Sequence, residues 1–319
     1  MKLFLLSMLI ALPSLAQERR DPRVDAVVQR IDPARLQATV KRLTEFGTRH
    51  TLSATQGPGR GIVPAREWLA SEFAAVAKGS RLKPFEDRFT APANGKRIPA
   101  PVEIVNVGAV LPGTDPARGK QAVVMTGHYD SMPSDVMDPK TDAPGAIDDA
   151  SGTAMTLELA NALKDQSPAI SIYLVAVAGE EQGLIGSQHL AERLKAEGVE
   201  VIAMVSVDIA GNSQGQDGVR DGTSARLFSE GTPELESEAQ KKLRLAVGNE
   251  NDSPARAFAR YVQRVGELYV SGLRLRVMLR RDRIARGSDH MSFARLGFPA
   301  IRLSEAREDY RGQHQTPRV

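Results

Sequence analysis

The chain has 319 residues, of which 41% are hydrophobic and 25% are charged; this composition is typical of a globular protein and excludes a disordered one. Its 42 basic and 39 acidic residues give a formal net charge of +3, a balance that does not favour a nucleic-acid partner. Cysteine is absent, which excludes disulfides, cysteine nucleophiles and thiolate metal ligands.

The first 16 residues have the pattern of a secretory signal peptide. Lys2 provides the positive start, residues 3–15 are an apolar core, and "SLA" at positions 14–16 is a small-residue cleavage pattern. We expect cleavage near Ala16/Gln17 and a secreted or periplasmic mature protein of one domain, residues 17–319. The alternative is a buried N-terminal helix. The apolar core is too short for a membrane-spanning helix, and no later stretch reaches that length, so we expect no stable membrane span.

Two amphipathic helices and two short strands are predicted next along the chain. Asp32 and Pro33 are a cap and a first-turn proline, and Gly47 ends the helix that they begin. The second helix ends at Gly79 and has apolar residues at spacings of four, four and three: Ala65, Leu69, Phe73 and Val76. Strand-like segments follow around residues 85–89 and 102–110.

The central part alternates between apolar strands and amphipathic helices. The strands are "QAVVMTGHYD", "AISIYLVAVA" and "VEVIAMVSVD", and the helices between them cover residues 151–163 and 184–195. Such alternation indicates parallel strands covered on both faces, so we predict a three-layer α/β/α fold with a mixed, mostly parallel central sheet. Residues 212–286 have a blurred pattern that we interpret as a lid or insertion, and "FPAIRLSE" is predicted as a last strand.

Each of the three central strands ends in side chains that can bind a metal. These residues are His128 and Asp130, then Glu180 and Glu181, then Asp208. Open α/β sheets bind ligands at the carboxyl ends of their strands, so the three endings point to one site. His128 and Asp130 project to the same side of an extended chain, which suits a histidine ligand held by a carboxylate or two ligands of one ion. Alone, this pair is more typical of a structural histidine.

Two further motifs carry candidate ligands. Asp148 and Asp149 lie in "GAIDDASG", a glycine-bounded turn that leads into a helix. Helix capping by Asp149 or Ser151 would account for one of these carboxylates but not for both. His314 lies in the polar loop "GQHQTP" after the last strand.

Together the motifs resemble the di-zinc aminopeptidases of metallopeptidase family 28. The matching segments are "GHYDS", "GAIDDASG", "GEEQGLIGS", "VSVDIAG", "GSDHMSF" and "GQHQTP", in the family's order across residues 102–316. The resemblance implies a zinc-peptidase (phosphorylase/hydrolase-like) catalytic domain with two Zn²⁺ ions. It also implies peptide substrates with a free N-terminus, and we expect a monomer.

The resemblance assigns a role to each site residue. Asp148 is expected to bridge the two ions; the remaining ligands are His128 and Asp208 for one ion, and Glu181 and His314 for the other. Glu180 is expected to be the general base that takes a proton from water and passes it to the leaving amine.

Supporting residues and departures follow from the same resemblance. Asp130 is expected to orient His128, Asp289 to orient His314, and Asp149 to follow a cis peptide bond. Some relatives have a tyrosine where this chain has Gln313, with Tyr310 a distant candidate for that role. The chain stops soon after His314, so we expect its C-terminal end to be truncated.

The sequence therefore predicts an exported zinc-dependent aminopeptidase. Three alternatives stay open: a glutaminyl cyclase with one catalytic zinc, a non-catalytic peptidase-like domain, and a carboxypeptidase. The carboxypeptidase would need a cation for the substrate carboxylate, and the candidates are Arg280, Arg281 and Arg286. Otherwise the basic cluster "LRRDRIARG" at residues 279–287 is interpreted as a solvated face.

Overall fold

The computed structural model of the chain describes residues 20–54, 57–233, 235–248 and 253–314. The predicted signal peptide lies outside the described residues. Within them, no helix combines the length and the apolar character that crossing a membrane requires.

Eight strands of the described residues form one sheet. They are β1 (Lys83–Ala91), β2 (Val102–Leu111), β3 (Gln121–His128), β4 (Ser171–Val177), β5 (Glu200–Val207), β6 (Ser224–Ser229), β7 (Arg274–Met278) and β8 (Ala300–Glu305). Their spatial order is β1-β2-β4-β3-β5-β8-β6-β7. The pairs β4–β3, β3–β5, β5–β8 and β6–β7 are parallel, and the other neighbouring pairs are antiparallel. The prediction of a mixed, mostly parallel sheet is confirmed.

Helices cover both faces of the sheet. The α-helices of the described residues are α1 (Pro22–Val28), α2 (Pro33–Thr44), α3 (Ile62–Ala77), α4 (Ser151–Leu163), α5 (Ile185–Ala196), α6 (Glu238–Val247), α7 (Pro254–Tyr269) and α8 (His290–Arg295). Alternate residues of β4 show the two layers, because Leu174 and Ala176 pack with α3 and α4, whereas Val175 and Val177 pack with α5 and α8. This arrangement is the predicted α/β/α sandwich.

The segment predicted as a lid or insertion contains β6, α6, α7 and β7. Strand β6 pairs with β8, so this segment extends the main sheet. Helix α7 packs on β6, β7 and β8 through a cluster that includes Leu227, Ala259 and Leu275. Arg283 and residues 285–287 line a cavity next to the predicted ligands. A lid function for this segment stays a prediction.

Two glycines allow the start of α4 to lie directly against the sheet. A Cβ atom on Gly127, near the end of β3, would be 2.3 Å from the carbonyl carbon of Gly152. A Cβ atom on Gly152 would be 2.0 Å from the carbonyl oxygen of Val207, at the end of β5. Only glycine fits at either position, and the contact places the turn before α4 beside the carboxyl ends of β3 and β5.

Candidate metal centre

The carboxyl ends of three adjacent parallel strands bring the predicted ligands together. His128 is the last residue of β3, and Asp208 directly follows β5. Glu180 and Glu181 lie just beyond the end of β4. Because β3 pairs in parallel with both β4 and β5, these side chains meet at one edge of the sheet.

Asp148 lies between two histidines that are far apart in the sequence. Its Oδ1 is 3.1 Å from Nε2 of His128, and its Oδ2 is 2.9 Å from Nε2 of His314. The peptide bond between Asp148 and Asp149 is cis, as the resemblance implies. The two oxygens therefore face two sets of ligands, the arrangement expected of a bridging carboxylate.

The remaining predicted ligands lie on either side of Asp148. On one side, Oδ1 of Asp208 is 3.7 Å from Nε2 of His128. On the other side, Oε1 of Glu181 is 3.2 Å from Nε2 of His314. One ligand atom from each of Asp148, Glu181 and His314 falls within 4.8 Å of the others. One ligand atom from each of His128, Glu180 and Glu181 also falls within 4.8 Å of the others. Glu180, the predicted base, is therefore close to a predicted ligand of each ion.

Asp149 ties three elements together below the site. Its Oδ2 accepts the backbone N–H of His128 at 3.0 Å, and its Oδ1 accepts those of Gly152 at 2.9 Å and Ile209 at 3.3 Å. The bond to Gly152 reaches the first turn of α4, and the other two hold the end of β3 and the segment after β5 in place. Its oxygens are thus engaged with backbone groups, which supports a positioning role.

Asp130 contacts both His128 and the segment that follows β4. Nδ1 of His128 is 3.1 Å from the backbone carbonyl oxygen of Asp130 and 3.6 Å from its Oδ1. The Asp130 carboxylate also accepts the backbone N–H groups of Glu180 at 3.3 Å and Glu181 at 3.2 Å. Asp130 is therefore placed to orient a ligand and also to position the two glutamates, a second role that the sequence did not indicate.

Asp289 does not contact His314, which corrects the expectation that it orients this histidine. Asp289 precedes α8 and is fully buried, whereas the carboxylates that pair with His314 among the described residues are those of Asp148 and Glu181. Its charge instead contributes to raising the pKa of Glu180. The chain order of the motif did not show which side of the site Asp289 faces.

Burial and neighbouring charges divide the acidic side chains into two classes. Burial opposes ionisation of Asp148 and Asp208, but His128 and His314 hold the pKa of Asp148 well below its usual value. For Asp208, Arg302 and His128 lower the pKa to about 2. In contrast, burial and the charge of Asp148 raise the pKa of Glu181 to about 7.

The pKa of Glu180 is also raised well above its usual value. Burial is the main cause, and the nearby charge of Glu181 adds to it. The close packing of these carboxylates is unfavourable by itself, so cations at this edge of the sheet would stabilise it.

The buried oxygens of this cluster fit divalent metal ions. Oδ1 of Asp208 and Oε1 of Glu181 are buried and form no well-aligned hydrogen bond with the described residues, although a histidine Nε2 lies 3.7 and 3.2 Å away, respectively. Carboxylate oxygens and imidazole nitrogens are ligands that Zn²⁺ uses in proteins. The donor types, the bridging position of Asp148 and the unsatisfied oxygens together fit two zinc ions.

Two buried arginines support the site and were not identified from the sequence. Arg302 is fully buried, and its Nη2 lies 3.2 Å from Oδ2 of Asp208. Arg49 is fully buried and donates to the carbonyl oxygens of Tyr129, Pro144 and Gly145, which are close in sequence to the predicted ligands His128 and Asp148. A lone arginine in the apolar strand "FPAIRLSE" was a usable signal, because a buried charge requires a partner. The sequence "GTRHT" around Arg49 offered no signal of this kind.

Sequence comparisons give the chain a family and close relatives. The profile described as "Peptidase family M28" matches residues 106–317. A "probable zinc metalloprotease" of Leptosphaeria maculans is 42% identical over 307 residues, which is 96% of this chain and 70% of the relative. The chain spans 60–70% of the length of the curated relatives it matches.

Solved structures with the same fold have more distant sequences. The Legionella pneumophila LapA aminopeptidase aligns with a TM-score of 0.62 at 19% identity, over 100% of this chain and 71% of that one. A Porphyromonas gingivalis glutaminyl cyclase aligns with a TM-score of 0.59 at 17% identity, over 90% of this chain and 91% of that one. At these identities the likeness supports the fold alone.

Proposed function

Because the chain belongs to peptidase family M28, we propose that it is an exported zinc-dependent aminopeptidase that hydrolyses peptides at a free N-terminus. The observation that carries the proposal is the position of Asp148, whose two oxygens face His128 and His314 at 3.1 and 2.9 Å. Export is proposed from the N-terminal sequence pattern, and aminopeptidase activity is supported by the resemblance of the motifs.

The proposed ligands are those of the sequence analysis. Asp148 would bridge two zinc ions; His128 and Asp208 would hold one, and Glu181 and His314 the other. Two zinc ions, when bound, supply a water nucleophile at neutral pH and polarise the scissile carbonyl group.

Glu180 is the proposed general base. It lines the cavity over the cluster, next to the ligand Glu181, and Asp130 accepts its backbone N–H. Burial raises the pKa of its carboxyl well above the usual value, so it takes up a proton more readily than an exposed glutamate. It would accept a proton from water and return it to the leaving amine.

A carboxypeptidase is the second candidate, because one observation favours it. Arg286 lines the same cavity as Glu180 and could face the terminal carboxylate of a peptide. The two candidates differ in the end of the peptide that is cleaved.

The test offers the zinc-loaded protein a peptide with a free amine and the same peptide with an acetylated amine. We expect hydrolysis of the free-amine peptide from its N-terminus, little hydrolysis of the acetylated one, and loss of both after chelation. Chelator-resistant hydrolysis, or equal rates on both peptides, would overturn the proposal. Release of the C-terminal residue from both peptides would support the carboxypeptidase instead. Cyclisation of a peptide with an N-terminal glutamine would support the glutaminyl cyclase.

A further inference from the structure

Arginines line the wall of the cavity above the metal centre. The cavity has a volume of about 550 Å³, within the range of small-ligand sites. Four of its lining residues are arginines: Arg97, Arg283, Arg286 and Arg295. The four acidic lining residues all belong to the metal cluster: Asp148, Glu180, Glu181 and Asp208. The cavity therefore has an acidic floor and a basic wall.

A second cavity of about 490 Å³ adjoins the first. The two share Arg283 and Arg286, and the second is also lined by Arg226, Arg280 and Tyr310. Among the described residues, none that lines it is acidic. Arg286, like Arg283, thus stands at the junction of the two cavities.

The arginines differ in whether their charge is already paired. Arg226 and Arg283 both pair with the carboxylate of Glu308. Arg286 forms no ion pair with any residue that the structure describes; its guanidinium lies over the ring of Tyr310, 5.5 Å from the centroid. Stacking on a ring holds a guanidinium in place and leaves its N–H edge available for a carboxylate.

Residues 279–287 were interpreted as a solvated face, and positions 279, 280 and 284–286 are indeed exposed, although not every residue of the segment is. Asp282 is buried, and the side chain of Arg283 is only 9% exposed because it contacts Asp282 and Glu308. The turn that follows carries Arg286 to the cavity wall, with Ala285 at a positive φ of 55°.

When metal ions are bound, the arginines of the wall would carry most of the uncompensated charge in the cavity. The floor carries four carboxylates, and two divalent ions would balance up to four negative charges there. The guanidinium of Arg286, which has no ion-pair partner within the described part of the chain, would then attract an anionic group of the substrate.

We propose that Arg286 binds a carboxylate of the peptide substrate, and that the protein selects peptides with such a group close to the cleaved bond. This inference rests on the proposed peptidase function. The carboxylate could belong to an aspartate or glutamate side chain or to the peptide C-terminus. Arginine binds either through two parallel N–H···O bonds.

The experiment uses four peptides: Ala-Glu-Ala and Ala-Gln-Ala, each as the free acid and as the C-terminal amide. They are offered to the zinc-loaded parent, to Arg286→Gln and to the control Arg274→Gln. Arg274 is an exposed residue of β7 that lines neither cavity. Rates give kcat/KM, and calorimetry with the Glu180→Gln protein measures binding without turnover.

We expect the parent to hydrolyse the peptide that carries the recognised carboxylate with a kcat/KM about tenfold higher than that of the peptide in which this carboxylate is neutral. Arg286→Gln should remove most of this preference while Arg274→Gln keeps it, and added salt should weaken it. If the preference disappears when the free acid is replaced by the C-terminal amide, the bound group is the terminal carboxylate. If it disappears when glutamate is replaced by glutamine, the bound group is the side-chain carboxylate.

The outcomes separate this inference from the proposed function. Hydrolysis of all four peptides at equal rates, or a preference unchanged in Arg286→Gln, would overturn the inference and leave the peptidase function standing. Carboxylate-dependent binding without hydrolysis by the parent would support recognition and contradict the peptidase function. Equal or undetectable binding of every peptide would also overturn the inference.

Discussion

Asp208 and Arg302 form a buried ion pair beneath the metal centre, with 3.2 Å between Oδ2 and Nη2. Nη1 of Arg302 also lies 3.0 Å from both carboxylate oxygens of Asp282. Burial alone would raise the pKa of Asp208, but Arg302 and His128 lower it to about 2. Asp208 is therefore ionised at neutral pH, and Arg302 leaves its Oδ1 available for a metal ion.

Replacement of Arg302 by methionine is expected to destabilise the protein by about 3–5 kcal/mol, because two buried carboxylates lose their shared cation. Urea unfolding of the metal-free protein measures the loss. Arg274→Met, at an exposed position of β7, is the control and should change stability by about 0.5 kcal/mol or less. A loss no larger than that of the control would contradict the importance of the ion pair.

Glu180→Gln is expected to lower kcat by about 10²–10⁴-fold, because glutamine keeps the shape of the side chain but cannot accept a proton. Its zinc content, measured by mass spectrometry, should match that of the parent. Glu181→Gln should instead lose zinc, since its Oε1 is a predicted ligand atom. Equal zinc loss in both variants would show that the division of roles between the two glutamates is incorrect.

Asp148→Asn and Asp208→Asn are expected to differ in metal stoichiometry. The oxygens of Asp148 face both histidines, so its replacement should weaken both sites. Of these two histidines, Asp208 pairs with His128 and not with His314, so its replacement should leave about one zinc per chain. Zinc titration followed by calorimetry distinguishes these results. Two retained ions in Asp148→Asn would rule out the bridging role.

Glu305 is expected to make the stability of the protein depend on pH. Burial raises its pKa from the usual 4.5 to about 7, although hydrogen bonds from Asn212 oppose the shift. A carboxyl whose pKa is raised by folding stabilises the protein fully below the unfolded-state pKa, and this contribution is lost as the pH rises through the folded-state pKa. Stability should thus fall between pH 4.5 and about 7.

Glu305→Gln tests this dependence, because glutamine does not titrate. Urea midpoints at pH 5 and pH 8 should differ less in the variant than in the parent. Subtracting the change in urea midpoint of the variant from that of the parent isolates the contribution of Glu305 from those of other titrating groups, such as Asp289 with its pKa of about 7. Identical pH dependence in both proteins would refute the assignment.

Much of the fold could be predicted because its signals are local. The helix predicted at residues 151–163 matches α4 (Ser151–Leu163), and each predicted central strand is present in the sheet. Apolar periodicity and the glycine and proline positions are properties of neighbouring residues, so a single sequence records them. For residues 212–286 the sequence predicted no individual elements, whereas the described part of this range contains β6, α6, α7 and β7.

The sequence by itself supplied the predicted metal ligands and the predicted base of the candidate site, because its motifs reveal their chemistry through residue type and order. Only the tertiary structure decided how the atoms face one another. Asp208 and Arg302 are 94 residues apart, and nothing local to either predicts their contact. Likewise, the oxygens of Asp148 face His128 and His314 only after β3 and the C-terminal loop come together. Local pattern specifies which elements form, whereas long-range packing specifies which side chain of each element meets which partner.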